Sequence, residues 1–124
     1  MAWYTDFFVA SADEIARMRF PADLEGRPVV PYKNISPDML ADLDFAVTGS
    51  TDREPQCVRD NEIVVYMLPV PLVTALAELT DQRLPEVADE WGGLLPDDAE
   101  ALLTELRDLA RHALAFGQDL YLYM

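Results

Sequence analysis

The chain has 124 residues, 51% of them apolar, and a formal net charge of −14 from 23 acidic and 9 basic side chains. A chain of that length is one ordinary domain spanning 1–124, and half-apolar composition argues against disorder despite the charge. The acidity disfavours nucleic acid and anionic membrane surfaces, because phosphate contacts need clustered lysine and arginine.

In chain order, residues 3–10 (Trp-Tyr-Thr-Asp-Phe-Phe-Val-Ala) are strand formers with aromatics on both faces, as in a central strand. Asp6 is the odd member, since a carboxylate there must be paired or wet. Ser11 to Glu14 has the form of a capping box, with a short helix through Ile15 and Met18 ended by Phe20-Pro21. Residues 21–35 carry four prolines or glycines and form a loop, with a short extended piece at Val29-Val30. Ser36-Pro37 starts a helix whose apolar side is Met39, Leu40 and Leu43. Residues 45–48 have the composition of a further short strand, and 49–61 of an exposed loop.

Residues 62–68 form a second full strand. Pro69 and Pro71 break the apolar stretch from Ile63 to Ala77, which is too short to span a bilayer. Leu72, Val73, Leu76 and Leu79 fit a helix, and Pro85, Val87, Ala88 and Trp91 a shorter one. The strongest signal is a long helix at 97–116. Ala99, Leu102, Leu103, Leu106, Leu109, Ala110, Ala113, Leu114 and Phe116 recur on one face, Asp97 is placed to cap, and Gly117 stops it. A last strand at 119–124 is apolar on both parities, so it belongs inside a sheet. The expected architecture is α+β: a small mixed or antiparallel sheet with helices covering one face.

From Pro71 onward this order of elements resembles the YfbM-like family of uncharacterised small bacterial proteins. The layout in question is a helix, a short proline-containing helix, and a long Leu/Arg/Ala helix closing through Gly117 into Tyr121-Leu122-Tyr123. The resemblance implies a bacterial, cytoplasmic, stand-alone domain. It brings no activity and no functional residue with it.

Candidate chemistry is sparse. His112, the only histidine, has Asp108 one turn before it and Glu105 two turns before it. A carboxylate-oriented imidazole can act as a general base near neutral pH, or it can simply make a helical pair with Asp108. Cys57, the only cysteine, excludes an internal disulfide. It becomes a nucleophile only if the fold brings it to His112. Metal ligands are too scarce for zinc, and neither Asp42 and Asp44 nor Asp97, Asp98 and Glu100 has calcium-loop spacing. No phosphate loop is present, so no cofactor is expected. No basic region precedes an apolar run, so no signal peptide is expected.

The aromatics Trp3, Tyr4, Tyr66, Trp91, Tyr121 and Tyr123 are candidates either for the core or for a binding surface. Residues 61–124 hold 12 acids against 3 bases. The expectation is therefore a non-enzymatic cytoplasmic binding or regulatory module engaging a basic protein partner, in the manner of an antitoxin or immunity protein. The alternative is a small enzyme or ligand-binding domain using His112. A homodimer through a sheet edge or the long helix is compatible with both.

Overall fold

A computed structural model describes residues 4–20, 22–33, 35–50, 53–60, 63–91 and 94–123. Its sheet is built from β1 (Tyr4–Ala10), β2 (Val29–Lys33), β3 (Gln56–Asp60), β4 (Val64–Met67) and β5 (Asp119–Tyr123). The order across it is β2-β1-β5-β4-β3, and every pairing is antiparallel. The helices are α1 (Ala12–Ile15), α2 (Pro37–Thr48), α3 (Val70–Ala77), α4 (Leu84–Glu90) and α5 (Pro96–Ala115), with a 3-10 turn at Ala22–Leu24. The fold is α+β, as the sequence pattern indicates.

The final strand is the central one. Phe7 pairs with Leu122 on one side, and Leu122 pairs with Tyr66 on the other. Leu120, Tyr121 and Leu122 are all buried, so both parities of β5 face apolar layers. On one side Phe7, Val9, Val30, Leu120 and Leu122 pack under α2 to α5. On the other, Phe8, Ala10, Val65 and Tyr121 pack against Ile15, Met18 and Leu24 of the short α1 and 3-10 segment. Helical cover is therefore present on both faces, thick on one and thin on the other.

α5 supplies most of the thick layer. Leu102, Leu103, Leu106 and Leu109 are buried, each contributing roughly 2 kcal/mol from apolar area removed from water. Leu95 is the N-cap, with Pro96 in the first turn and Asp97 two positions too far in to cap. At the other end Leu114 and Phe116 are exposed rather than part of the buried face, because the helix there runs past the edge of its apolar layer. Asp97 and Asp98 still complement the positive end of the helix dipole. Gly117 takes φ 63, and the Gln118 amide reaches back to the Ala113 carbonyl at 2.8 Å, closing the helix.

Three stretches depart from the sequence expectation. Residues 45–48 are the last turn of α2, not a strand. Leu40, Leu43, Ala46 and Val47 are all buried, so helical spacing outweighs strand composition, and Gly49 at φ 79 caps the end. β2 runs on through Pro31 to Lys33, which an edge strand tolerates because the missing N–H costs no ladder bond there. β3 was expected as loop. Its residues are exposed except for half-buried Arg59, so no alternation marks it, and its pairing comes from β4. Trp3 and Met124, expected at the outer ends of β1 and β5, lie outside the described residues.

A variant lacking residues 119–124 should lose cooperative thermal unfolding, because β1 with β2 and β4 with β3 would no longer share a strand. Circular dichroism melts check this. A truncated chain that melts sharply, within a few degrees of the full chain, would show that β5 is dispensable.

Candidate functional site

The arginines explain much of the local geometry. Arg53 grips the buried Asp44 carboxylate through Nε at 3.0 Å and Nη2 at 2.9 Å, and the Thr48 hydroxyl donates to the same group at 2.7 Å. Removing one partner from such a pair costs about 3–5 kcal/mol, so the contact fixes the end of α2. Asp44 is thereby occupied by a cationic side chain of this chain. Arg59 on β3 donates to the Ile15 and Met18 carbonyls at 3.1 and 2.6 Å and lies 5.5 Å from the Phe20 ring centroid. Arg107 and Arg111 reach from α5 to the Leu79 and Ala77 carbonyls at 3.2 and 2.9 Å, satisfying the open end of α3.

Arg27 joins the thin side of the sheet together. It bonds the Glu14 carboxylate and the Asp23 and Val9 carbonyls. Glu14 also accepts from the Ser11 amide and hydroxyl at 3.0 and 3.1 Å, which completes the expected link at the start of α1. Arg27 and then the Ser11 amide hold the Glu14 carboxyl well below its ordinary value, at about 2.

The candidate aromatics divide. Trp91 is buried in the main core and its indole N–H donates to the Met39 carbonyl at 2.8 Å. Tyr121 is 1% exposed and stacks on Phe8 at 5.4 Å. Burial, with the nearby Asp119 carboxylate adding to it, pushes its phenol up to about 12. Neither is a surface ring, which corrects the expectation that they belong to a binding surface. Tyr123 is half-buried and stacks on Phe20 at 4.7 Å, and Tyr66 is half-buried against the main core. Tyr4 opens β1 opposite Lys33. Asp6, in the same strand, is half-buried with no side-chain partner among the described residues, and burial raises its carboxyl.

His112, Asp108 and Glu105 do come together. They line a cleft of about 280 Å³ between α5 and β2, whose other walls are Pro28, Val29, Val30 and Leu109. Helical spacing puts the three on one stripe. His112 is half-buried and its ring lies 4.5 Å from that of Phe116. Glu105 and Asp108 are exposed. Their stripe begins with Asp98, whose charge, after burial, helps raise the Tyr32 phenol on β2. The negative field thus runs along the β2 edge. Sequence spacing made the α5 side of this cleft visible. It could not supply the opposite wall, which comes from a segment 75 or more residues earlier.

Cys57 does not join this group. It is exposed on β3, the opposite edge of the sheet from β2. The Cys57–His112 pairing is therefore ruled out by topology. A second hollow, of about 240 Å³, is lined by Asp38, Ala41, Glu54, Pro55 and Tyr66, so each of these clefts presents two carboxylates. Among the described residues, no group of three or more His, Cys, Asp or Glu is placed to hold a metal ion. Among them also, no helix is long and apolar enough to cross a membrane.

No protein-family model and no curated protein matches the sequence. The structure is similar to the crystal structure of a protein of unknown function, YfbM from Escherichia coli. The likeness covers 98% of this chain and 99% of that one, at 12% sequence identity and a TM-score of 0.46. At that identity and score it transfers no residue role.

The Glu14 link predicts a pH dependence. Because the folded-state carboxyl sits below its ordinary value of 4.5, at about 2, its contribution is full above pH 4.5 and is lost as pH falls towards 2. Urea midpoints of wild type and Glu14→Gln should differ most near pH 6 and converge near pH 2. A gap of equal size at both pH values would contradict the assignment.

Proposed function

We propose that this protein is a non-enzymatic, cytoplasmic binding or regulatory module whose acidic surface engages a basic protein partner, as an antitoxin-like or immunity-like inhibitor would. The observation that carries this reading is how the cations are used. Arg27, Arg53, Arg59, Arg107 and Arg111 are engaged with carbonyls and carboxylates of their own chain. The Arg17 guanidinium donates to the Asp13 carbonyl, and the exposed Arg19 guanidinium lies 3.7 Å from the Asp23 carboxylate. Meanwhile Glu86, Asp89 and Glu90 on α4 and Asp97, Asp98, Glu105 and Asp108 on α5 are exposed. A surface left negative in this way speeds encounter with a positive one and suppresses like-charged partners.

The same charge disfavours a homodimer through α5, where acidic faces would meet. The sheet edges are poor alternatives, since Pro31 interrupts β2 and a bulge between Cys57 and Arg59 twists β3.

The second reading, a small enzyme or ligand-binding domain, is favoured by the cleft that gathers His112, Asp108 and Glu105. Against it, no Ser, Thr, Cys or Lys is among the described residues that line the cleft.

Affinity capture from lysate of the source organism tests the choice. A basic protein should be retained at low salt and released at high salt, and a variant with Glu86, Asp89, Asp97 and Asp98 changed to lysine should capture at least tenfold less. Retention that ignores both salt and charge reversal would overturn the acidic-surface reading.

A further inference from the structure

We propose that the cleft between α5 and β2 is where the basic partner is anchored, by one arginine side chain of an extended segment. The inference rests on the acidic-surface reading above and specifies where and how recognition takes place. Three features select this occupant.

The first is chemical. Glu105 and Asp108 sit one turn apart on the same rim of the cleft, and among the described residues no side chain pairs with either carboxylate. A guanidinium offers five donors in a planar fork that suits two carboxylates better than a compact ammonium does. The second is shape. The remaining walls are Pro28, Val29, Val30, Leu109 and His112, a mainly apolar lining for the methylene stem of a long cation whose head reaches the carboxylates. At about 280 Å³ the cleft lies at the bottom of the range of roughly 300–1,000 Å³ that holds drug-sized ligands. One long side chain fits; a folded element does not. The third is the field. Asp98, further along the stripe, acts on Tyr32 of β2, so negative potential extends along the strand beyond the cleft. A segment with further positive residues would lie along it.

Pro31 decides how the segment binds. It removes a donor from the middle of β2, so the edge does not offer a full hydrogen-bond ladder. Recognition falls to the inserted side chain rather than to strand addition.

The test uses the full chain, labelled with 15N, and three probes. These are a short valine–alanine peptide with one central arginine, the same peptide with neutral citrulline in that place, and polyarginine. The arginine peptide should shift the amide signals of Val29, Val30, Leu109 and His112, and the citrulline peptide should not. The Glu105→Gln/Asp108→Asn double variant should bind the arginine peptide at least tenfold more weakly. An Asp13→Asn/Asp60→Asn variant, changed on α1 and on β3 at the opposite edge of the sheet, should bind it as wild type does. Glu105 and Asp108 are exposed, so circular dichroism of that double variant should match wild type and separate lost binding from lost fold. If the arginine peptide or polyarginine binds with salt dependence but shifts signals elsewhere, the cleft is not the anchor, and the acidic-surface reading survives. If polyarginine does not bind at low salt, both fall.

Discussion

The insertion of β5 between β1 and β4 is the contact on which the rest of this structure depends. Without it the sheet is two separate pairs, β1 with β2 and β4 with β3. Two-stranded units are marginal in water. β5 also carries buried residues on both faces, so one strand ties the thick helical layer to the thin one. α5 delivers that strand. Gly117 turns the chain at the end of the helix, and β5 returns beneath the helix's own leucine face. The sequence-distant halves meet here, which makes the sheet a late and non-local assembly.

A second constraint follows from the composition. With 9 basic against 23 acidic side chains, the chain has few cations, and the fold places most of its arginines at structural junctions. Arg59 closes the end of α1, Arg107 and Arg111 close α3, Arg53 neutralises Asp44, and Arg27 ties Glu14 to the loop after α1. Each satisfies a carbonyl or carboxylate that would otherwise lose its solvent partners on burial. The consequence is electrostatic. These cations are engaged with their own chain, and the acids of α4 and α5 outnumber the two arginines, Arg107 and Arg111, that α5 carries. In this account stability and recognition share one cause.

What could be read in the sequence follows the strength of local signals. α5 was legible because apolar residues from Ala99 to Ala113 recur at helical spacing over about four turns, and β1 and β5 because aromatics cluster between clear stops. α2 was legible at its start, where Ser36 accepts from the Met39 amide, but not at its end. Phe45 and Val47 have strand composition, and only packing decided for helix. β3 was illegible because an exposed edge strand has no buried face to pattern it. The candidate site divides in the same way. Spacing along α5 aligned Glu105, Asp108 and His112, while Val29 and Val30, which face them, carry no mark of that role. Trp91 and Tyr121 went the other way. Nothing local distinguishes a core ring from an interface ring, and both proved to be core.

Most of the arginines are engaged with carbonyls and carboxylates of their own chain, which leaves the outside acidic. The most direct test is 1H–15N spectroscopy of the arginine Nε–H groups, with exchange followed in water. Nε of Arg27, Arg53 and Arg111 donates to Asp23, Asp44 and Ala77 respectively, while among the described residues no partner holds the Arg83 side chain. The account predicts three dispersed signals that exchange at least tenfold more slowly than that of Arg83 and do not move with added salt. A single cluster of signals at the free-arginine position, all exchanging as fast as Arg83, would mean that these cations are available to neutralise the surface, and the account would be wrong.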